Sequence, residues 1–251
     1  NGPEAGLGGA EGGVGLPAGG EPDAEPGARP GAGGPVAEPP AAPEPIHADP
    51  QAKGRNFRIS EDLGIGRGTA KEKYRDNVAA LQLLKAIEAE QRPATEKEQE
   101  VLAKYVGWGG LPEVFDKNAS WQKAHPWRKE FEEIRGLLTE EEYDAARAST
   151  LNAHYTSIPV VRAMWATLRR MGFDGGRMLE PGSGIGNFLG TVPGEIADRT
   201  AFTAVELDSI TGRILKALYP ESNVHVTGFE KMILPNNFFD VAMGNVPFGE
   251  G

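Results

Sequence analysis

Residues 179–188 read Leu179-Glu180-Pro181-Gly182-Ser183-Gly184-Ile185-Gly186-Asn187-Phe188. The apolar run Arg177–Glu180 leads in as a short strand, and a helix is expected to open on the far side. An acid at a strand tip, followed by glycines at alternate positions, predicts a tight strand-to-helix turn. Glycine permits the left-handed dihedrals and the close backbone approach such a turn needs. A purely structural turn would use the same glycines. Two phosphate-binding signatures are absent: a dinucleotide fingerprint needs glycine where Asn187 stands, and no Lys-Ser/Thr pair follows as in a Walker loop.

The flanking pattern alternates strand and helix. Ile158–Met171 is amphipathic, Phe202–Glu206 reads as a second strand, and Ile210–Leu218 as a helix. Asn223–Thr227 is a third strand and Phe239–Met243 a fourth, the latter apolar enough to be buried on both faces. Strands separated by helices predict a parallel, doubly wound α/β sheet. In that setting the phosphate-free loop suits S-adenosylmethionine, with Glu180 receiving its ammonium group. Glu206, at the tip of the second strand, could accept both hydrogen bonds of a ribose diol, while Asp208 reads as the cap of the next helix. After the fourth strand comes Gly244-Asn245-Val246-Pro247-Phe248-Gly249. Asn245 and the backbone around Pro247 offer acceptors for an exocyclic amino group, and Phe248 offers a face for an extruded base. Asn-x-Pro alone is an ordinary turn signal; its place after the fourth strand is what gives it meaning.

Residues 1–53 are Gly, Pro, Ala and Glu with few residues able to build a core, and are expected to be disordered. They carry much of the chain's acidity. Residues 1–50 hold eight acids and one base, whereas the remaining 201 residues are close to neutral, with 28 acids and 25 bases. A near-neutral body lacks the strong basic bias of many nucleic-acid binders. Residues 54–150 read as mainly helical: an irregular lead-in over 56–68, a helix over 72–91, and capping boxes at Thr95/Glu98 and Thr139/Glu142. Trp108, between glycines, reads as a core anchor rather than a stacking platform. Lys71–Arg75 and Arg169-Arg170 read as solvated helix faces. The histidines show no metal-ligand spacing, and the chain has no cysteine, which excludes disulfides and thiolate chemistry. No apolar run approaches the roughly 18 residues of a membrane span, and the N-terminus lacks a signal-peptide pattern. A cytoplasmic protein with no membrane partner is expected.

Residues 152–251 resemble amino-methylating DNA methyltransferases that place their cofactor motifs first. Asn152-Ala153-His154-Tyr155-Thr156-Ser157 stands where such enzymes carry a Tyr-Thr-Pro-like segment, with Ser157 in place of Pro. More narrowly, residues 56–251 resemble the N6-adenine methyltransferase domain of the large methylase–helicase fusion proteins of phages and conjugative elements. The blocks that carry this are Lys73-Tyr74-Arg75-Asp76-Asn77, Tyr105–Pro112, Leu151–Ser157, Gly228-Phe229-Glu230 and Gly244–Gly249. The resemblance implies a Rossmann-like S-adenosyl-L-methionine-dependent methyltransferase fold over 151–251, incomplete at about four parallel strands. It implies Tyr155, Thr156, Glu180, Gly182, Gly184, Glu206 and Phe229 as cofactor contacts, and Asn245, Pro247 and Phe248 as catalytic residues. DNA is the implied partner, and a helicase-like region of the same protein would follow. Val246 departs from the usual Asn-Pro-Pro pattern and is similar to rRNA adenine dimethylases. RNA adenine and protein glutamine therefore stay open as substrates, as does a non-catalytic DNA-protecting module. The expected third-strand acid is replaced by Gly228-Phe229-Glu230. A chain stopping two residues after the motif's Gly249 is expected to be a fragment, inactive or marginally folded alone.

Overall fold

Short runs rich in apolar residues form four strands in the computed structural model, which describes residues 54–120, 122–150 and 155–245. All described residues lie in one compact unit. The expected disorder of 1–53 falls outside them, as do His154, Pro247 and Phe248.

The helical region begins with α1 (Ala70–Ala89), capped two residues earlier than the apolar spacing predicts. Thr69 and Glu72 form a reciprocal capping box that fixes that start. The expected boxes at Thr95/Glu98 and Thr139/Glu142 open α2 (Glu96–Leu102) and α4 (Glu140–Ser149). Between them lies α3 (Arg128–Leu137), which apolar spacing did not predict. It buries only Ile134 fully and begins at Trp127 with no side-chain cap, so neither a stripe nor a cap marks it.

The α/β part follows: α5 (Ile158–Arg170), β1 (Gly176–Pro181), the short α6 (Asn187–Gly190) and α7 (Gly194–Ala197), β2 (Thr200–Glu206), α8 (Ser209–Leu218), β3 (Asn223–Val226) and β4 (Val241–Ala242). The strands run parallel in the order β3-β2-β1-β4. Register pairs Glu180 with Ala204 and Glu206 with Val226, so the acids end neighbouring strands. The chain winds outward from β1 to β3 and then returns to the other side of β1. This reversal opens a crevice at the carboxyl ends of β1 and β4, where doubly wound sheets take ligands.

The fourth strand is a correction. Only Val241–Ala242 form it, Val241 is half-buried and Ala242 exposed, so it is not buried on both faces. β4 pairs with β1 alone and is the outer strand among the described residues. Just before it, Asp240 turns its carboxylate onto the Arg177 N–H at 2.7 Å, and Phe238 packs under the Arg177 guanidinium.

One apolar core runs through both regions. Tyr74, Leu81, Trp108 and Tyr143 belong to the same cluster as Trp165, Phe202, Ile214 and Tyr219. Trp108 is 1% exposed and meets Phe115 edge-on at 5.4 Å, as expected of a core anchor. The lead-in segment joins the regions through its backbone: Phe57 N–H donates to the Leu218 carbonyl and Ile59 N–H to that of Gly190, both at 2.8 Å. Gln99 adds a polar rivet from α2. Its buried amide donates to the carbonyls of Arg55, Ala217 and Leu218 at 2.9–3.3 Å. Arg213 of α8 grips Glu88 of α1 and Glu142 of α4. The basic groups at Lys71 and Arg169 are not simply solvated: Lys71 pairs with Glu130 and lies 3.8 Å from the Trp127 ring centroid, and Arg169 pairs with Asp174.

Replacing Gln99 with Ala removes the donor to the Arg55 and Ala217 carbonyls and one of the two donors to that of Leu218. Stability is expected to fall by about 1–3 kcal/mol, lowering the thermal midpoint by about 2–4 °C for each kcal/mol. Differential scanning calorimetry measures this, and an unchanged midpoint would show that the rivet holds nothing.

Candidate functional site

Glycines shape the β1–α6 turn. Gly182, Gly184 and Gly186 all take positive φ (67°, 57° and 79°), while Ser183 and Ile185 between them and Asn187 after them are buried. The Ser183 hydroxyl donates to the Glu180 carbonyl at 2.7 Å, and the Ser183 N–H to the Val205 carbonyl at 3.0 Å. These bonds tie the turn to the ends of β1 and β2.

Glu180 closes β1 with 2% of its surface exposed, and its Oε2 has no hydrogen-bond partner among the described residues. Burial pushes its carboxyl well above the usual carboxylate range, and the nearby Glu206 charge adds to the effect. A buried polar oxygen left unused carries a free-energy penalty that native folds seldom tolerate without a reason. Glu206 is held differently. Its Oε2 accepts the Gly184 N–H at 2.7 Å and its Oε1 the Asp208 N–H at 2.8 Å. Burial raises its pKa, while those backbone hydrogen bonds pull against the rise. Each carboxylate oxygen keeps a second lone pair for a ligand. Asp208 caps α8, as expected, accepting the Thr211 N–H at 2.7 Å.

Tyr155 covers the turn. A β-carbon on Gly184 would overlap its ring, and one on Gly107 would come within 3.0 Å of it, so the ring sits between the two glycines. Gly107 is fixed by Asn77, which is fully buried in α1. Its Nδ2 donates to the Gly107 carbonyl at 2.6 Å and its Oδ1 accepts the Val106 N–H at 2.9 Å. The carbonyl of Thr156 accepts from Asn187 Nδ2 at 2.9 Å. Asn187 Oδ1 has no partner among the described residues, although the residue is only 7% exposed.

The fold thus gathers Tyr155, Thr156, Glu180, Gly182, Gly184 and Glu206 around one turn. Phe229 stands apart, 45% exposed just beyond β3 at the same end of the sheet. Asn245 is exposed just after β4, and a β-carbon on the preceding Gly244 would come within 2.9 Å of the Pro181 carbonyl. The asparagine motif therefore begins beside the end of β1. Asn77 and Asn187 were missed as site residues by sequence reading. Asn187 counted there only as the residue that breaks a dinucleotide fingerprint. Beside the turn opens a cavity of about 770 Å³, bordered by Gly64–Arg67, Lys73, Tyr105–Gly107, Gly109–Leu111, Tyr155–Pro159 and Asn187.

No family model matches the sequence. Over 120 residues, 47% of this chain, it is 35% identical to the defense against restriction protein B of Escherichia phage P1, and it spans about 5% of that protein's length. A solved structure of the methyltransferase subunit of a type I restriction-modification system from Streptococcus thermophilus aligns with 71% of this chain and 57% of its own. The identity is 12% and the TM-score 0.33, too low to carry an argument. No described helix is long and apolar enough to cross a membrane.

The raised pKa of Glu180 sets a sign for pH dependence. Near its ordinary value of 4.5 the unfolded chain ionises first, while the folded chain keeps its proton. Stability is therefore lost as pH rises from about 4.5 through the folded pKa, by at most about 1.4 kcal/mol per pH unit for one carboxyl. Glu180→Gln removes this contribution. Urea melts at about pH 5 and about pH 8 should show a smaller loss in the variant than in the native chain; equal losses would contradict an ionisable Glu180 in a dry site.

Proposed function

We propose that this chain supplies the cofactor-binding part of an S-adenosylmethionine-dependent methyltransferase that modifies the N6 amino group of adenine in DNA. The observation that carries the reading is Glu180: a buried carboxyl at the tip of β1, beside a glycine turn at the topological switch point, with an oxygen that lacks a donor among the described residues. An ammonium group would supply that donor and favour the ionised carboxylate, reversing the effect of burial. Glu206 has spare lone pairs on oxygens already oriented by Gly184 and Asp208, which suits a ribose diol. These two features fit the cofactor, and no phosphate-binding signature competes with it.

When bound, this cofactor supplies an electrophilic methyl group on a sulfonium. The chain's own contribution is positioning and desolvation. Glu180 holds the amino-acid end, Glu206 the ribose, and Tyr155 with Thr156 walls the turn, while Phe229 serves the adenine ring. In this reading the Asn245 side-chain carbonyl and the backbone near Pro247 accept the two N–H bonds of the target amine, leaving its lone pair for the methyl carbon. Phe248 stacks on the base. The amine sheds its proton to solvent after transfer, so no side-chain base is required. The larger protein is proposed to belong to a phage or mobile element, with a helicase-like region alongside. The name of the phage P1 relative, a defense against restriction protein, supports that setting. It also favours a second reading, in which the fold is a DNA-protecting module with no transfer activity.

Titration calorimetry with S-adenosylmethionine separates the two. Binding weakened about tenfold or more by Glu206→Ala, the effect of losing hydrogen bonds to a charged group, is the expected result. Radiolabelled methyl transfer offered to DNA, RNA and protein in parallel then reads the substrate, with label expected in DNA adenine. Absence of binding, or binding indifferent to Glu206→Ala, favours the non-catalytic module.

A further inference from the structure

The cavity beside the glycine turn is more basic than the chain around it. Residues 51–251 are close to neutral, with 28 acids and 25 bases, yet this cavity is bordered by Arg67, Lys73 and Arg162 against a single acid, Glu61. Arg162 is committed: its guanidinium pairs with Glu61. Among the described residues, Arg67 and Lys73 make no side-chain hydrogen bond or ion pair. Two residues away on the same helix, Lys71 is paired with Glu130 and stacked over Trp127, so pairing is available to lysines on α1 but is not used at Lys73.

The border also spends glycine where packing does not ask for it. A β-carbon on Gly110 would meet nothing within 4 Å, and on Gly64 or Gly66 nothing closer than 3.8 Å. Gly64 and Gly66 need their positive φ, but Gly110 does not, so its missing side chain simply leaves space. Asn187 also borders the cavity: it is more than nine-tenths buried, and its Oδ1 has no partner among the described residues. As an acceptor, that oxygen calls for a donor such as a base amino group rather than a phosphate oxygen. Tyr155 links this space to the proposed cofactor site, since its ring borders the cavity and rests on Gly184.

We propose that this cavity is a second site, which takes the sugar-phosphate backbone of a single DNA strand next to the target base. Arg67 and Lys73 neutralise phosphates, the open glycine border admits the backbone, and Tyr155 separates the strand from the methyl donor. About 770 Å³ is roomy enough for a nucleotide unit, within the usual range of about 300–1,000 Å³ for ligand pockets. A local excess of cations on a near-neutral body draws a polyanion to one place. This proposal rests on the methyltransferase reading for its substrate, and its test is independent of cofactor binding.

The test is fluorescence anisotropy of a labelled single-stranded oligodeoxynucleotide containing adenine, titrated with the full chain at several salt concentrations. Arg67→Glu with Lys73→Glu is expected to weaken binding by more than about tenfold. The uncharged pair Arg67→Gln with Lys73→Gln should flatten the slope of log affinity against log salt by about 1.4, the value for two lost contacts on a single strand. Charge reversal of Lys97 and Lys129, outside the cavity border, should change neither by comparable amounts. Calorimetry with S-adenosylmethionine on the glutamine variant should match the native chain, which also reports that its fold is intact. Oligonucleotide binding unmoved by the cavity variants, or moved equally by the control pair, overturns the site, and so does a native chain that binds no oligonucleotide. If the cavity variants lose DNA while the native chain binds no cofactor, the site stands and the methyltransferase reading falls. A strand held equally well as RNA would leave the backbone site in place and refute its DNA preference.

Discussion

The ring of Tyr155 can lie where it does only because Gly107 and Gly184 both lack a β-carbon. One glycine belongs to the helical region and the other to the β1–α6 turn, so a single aromatic group fixes the distance between two parts of the chain far apart in sequence. Asn77 extends the constraint inward. By satisfying both the carbonyl of Gly107 and the N–H of Val106, it sets the height of the surface on which the ring rests. Glu206 does the same from the opposite side through the Gly184 N–H. The turn that carries the chemistry is thus clamped by a buried amide, an aromatic plate and a carboxylate.

The electrostatics divide along the same line. Glu180 and Glu206 both have raised pKa values through burial, but only Glu206 is compensated by backbone donors. A protein selected for stability alone would replace the uncompensated acid with an apolar residue of similar size. Arg67 and Lys73, on the border of the cavity beside Tyr155, are cations that make no side-chain ion pair among the described residues.

Much of this was legible in sequence because strand ends and glycine turns are local features. The first three strands fall within a residue or two of their expected bounds, and Asp208 and two of the capping boxes are where their side chains predict. The fourth strand was overread: Phe238 and Phe239 pack on each other and against Arg177, so apolar character there does not mark a ladder. The Thr69 box and α3 escaped notice because the first precedes its apolar stripe and the second scarcely has one. Glu180 and Glu206 could be named from sequence, whereas the isolation of one oxygen could not, since it depends on what fails to approach it. The cavity was invisible for a related reason. Its border comes from five separated segments, none of which carries a motif for an anion.

The backbone bonds from Phe57 and Ile59 to Leu218 and Gly190 have a bearing on how this chain comes into being. They join the start of the described region to α6 and to its last long helix, α8, contacts of high sequence separation that form late and slowly. During synthesis, which proceeds from the N-terminus at about 5–20 residues per second, the helical region emerges first but has no α8 to close against. Its apolar flank must wait until residue 218 has left the ribosome. The lead-in segment is thus made well before its partners and is among the last of the described segments to be secured.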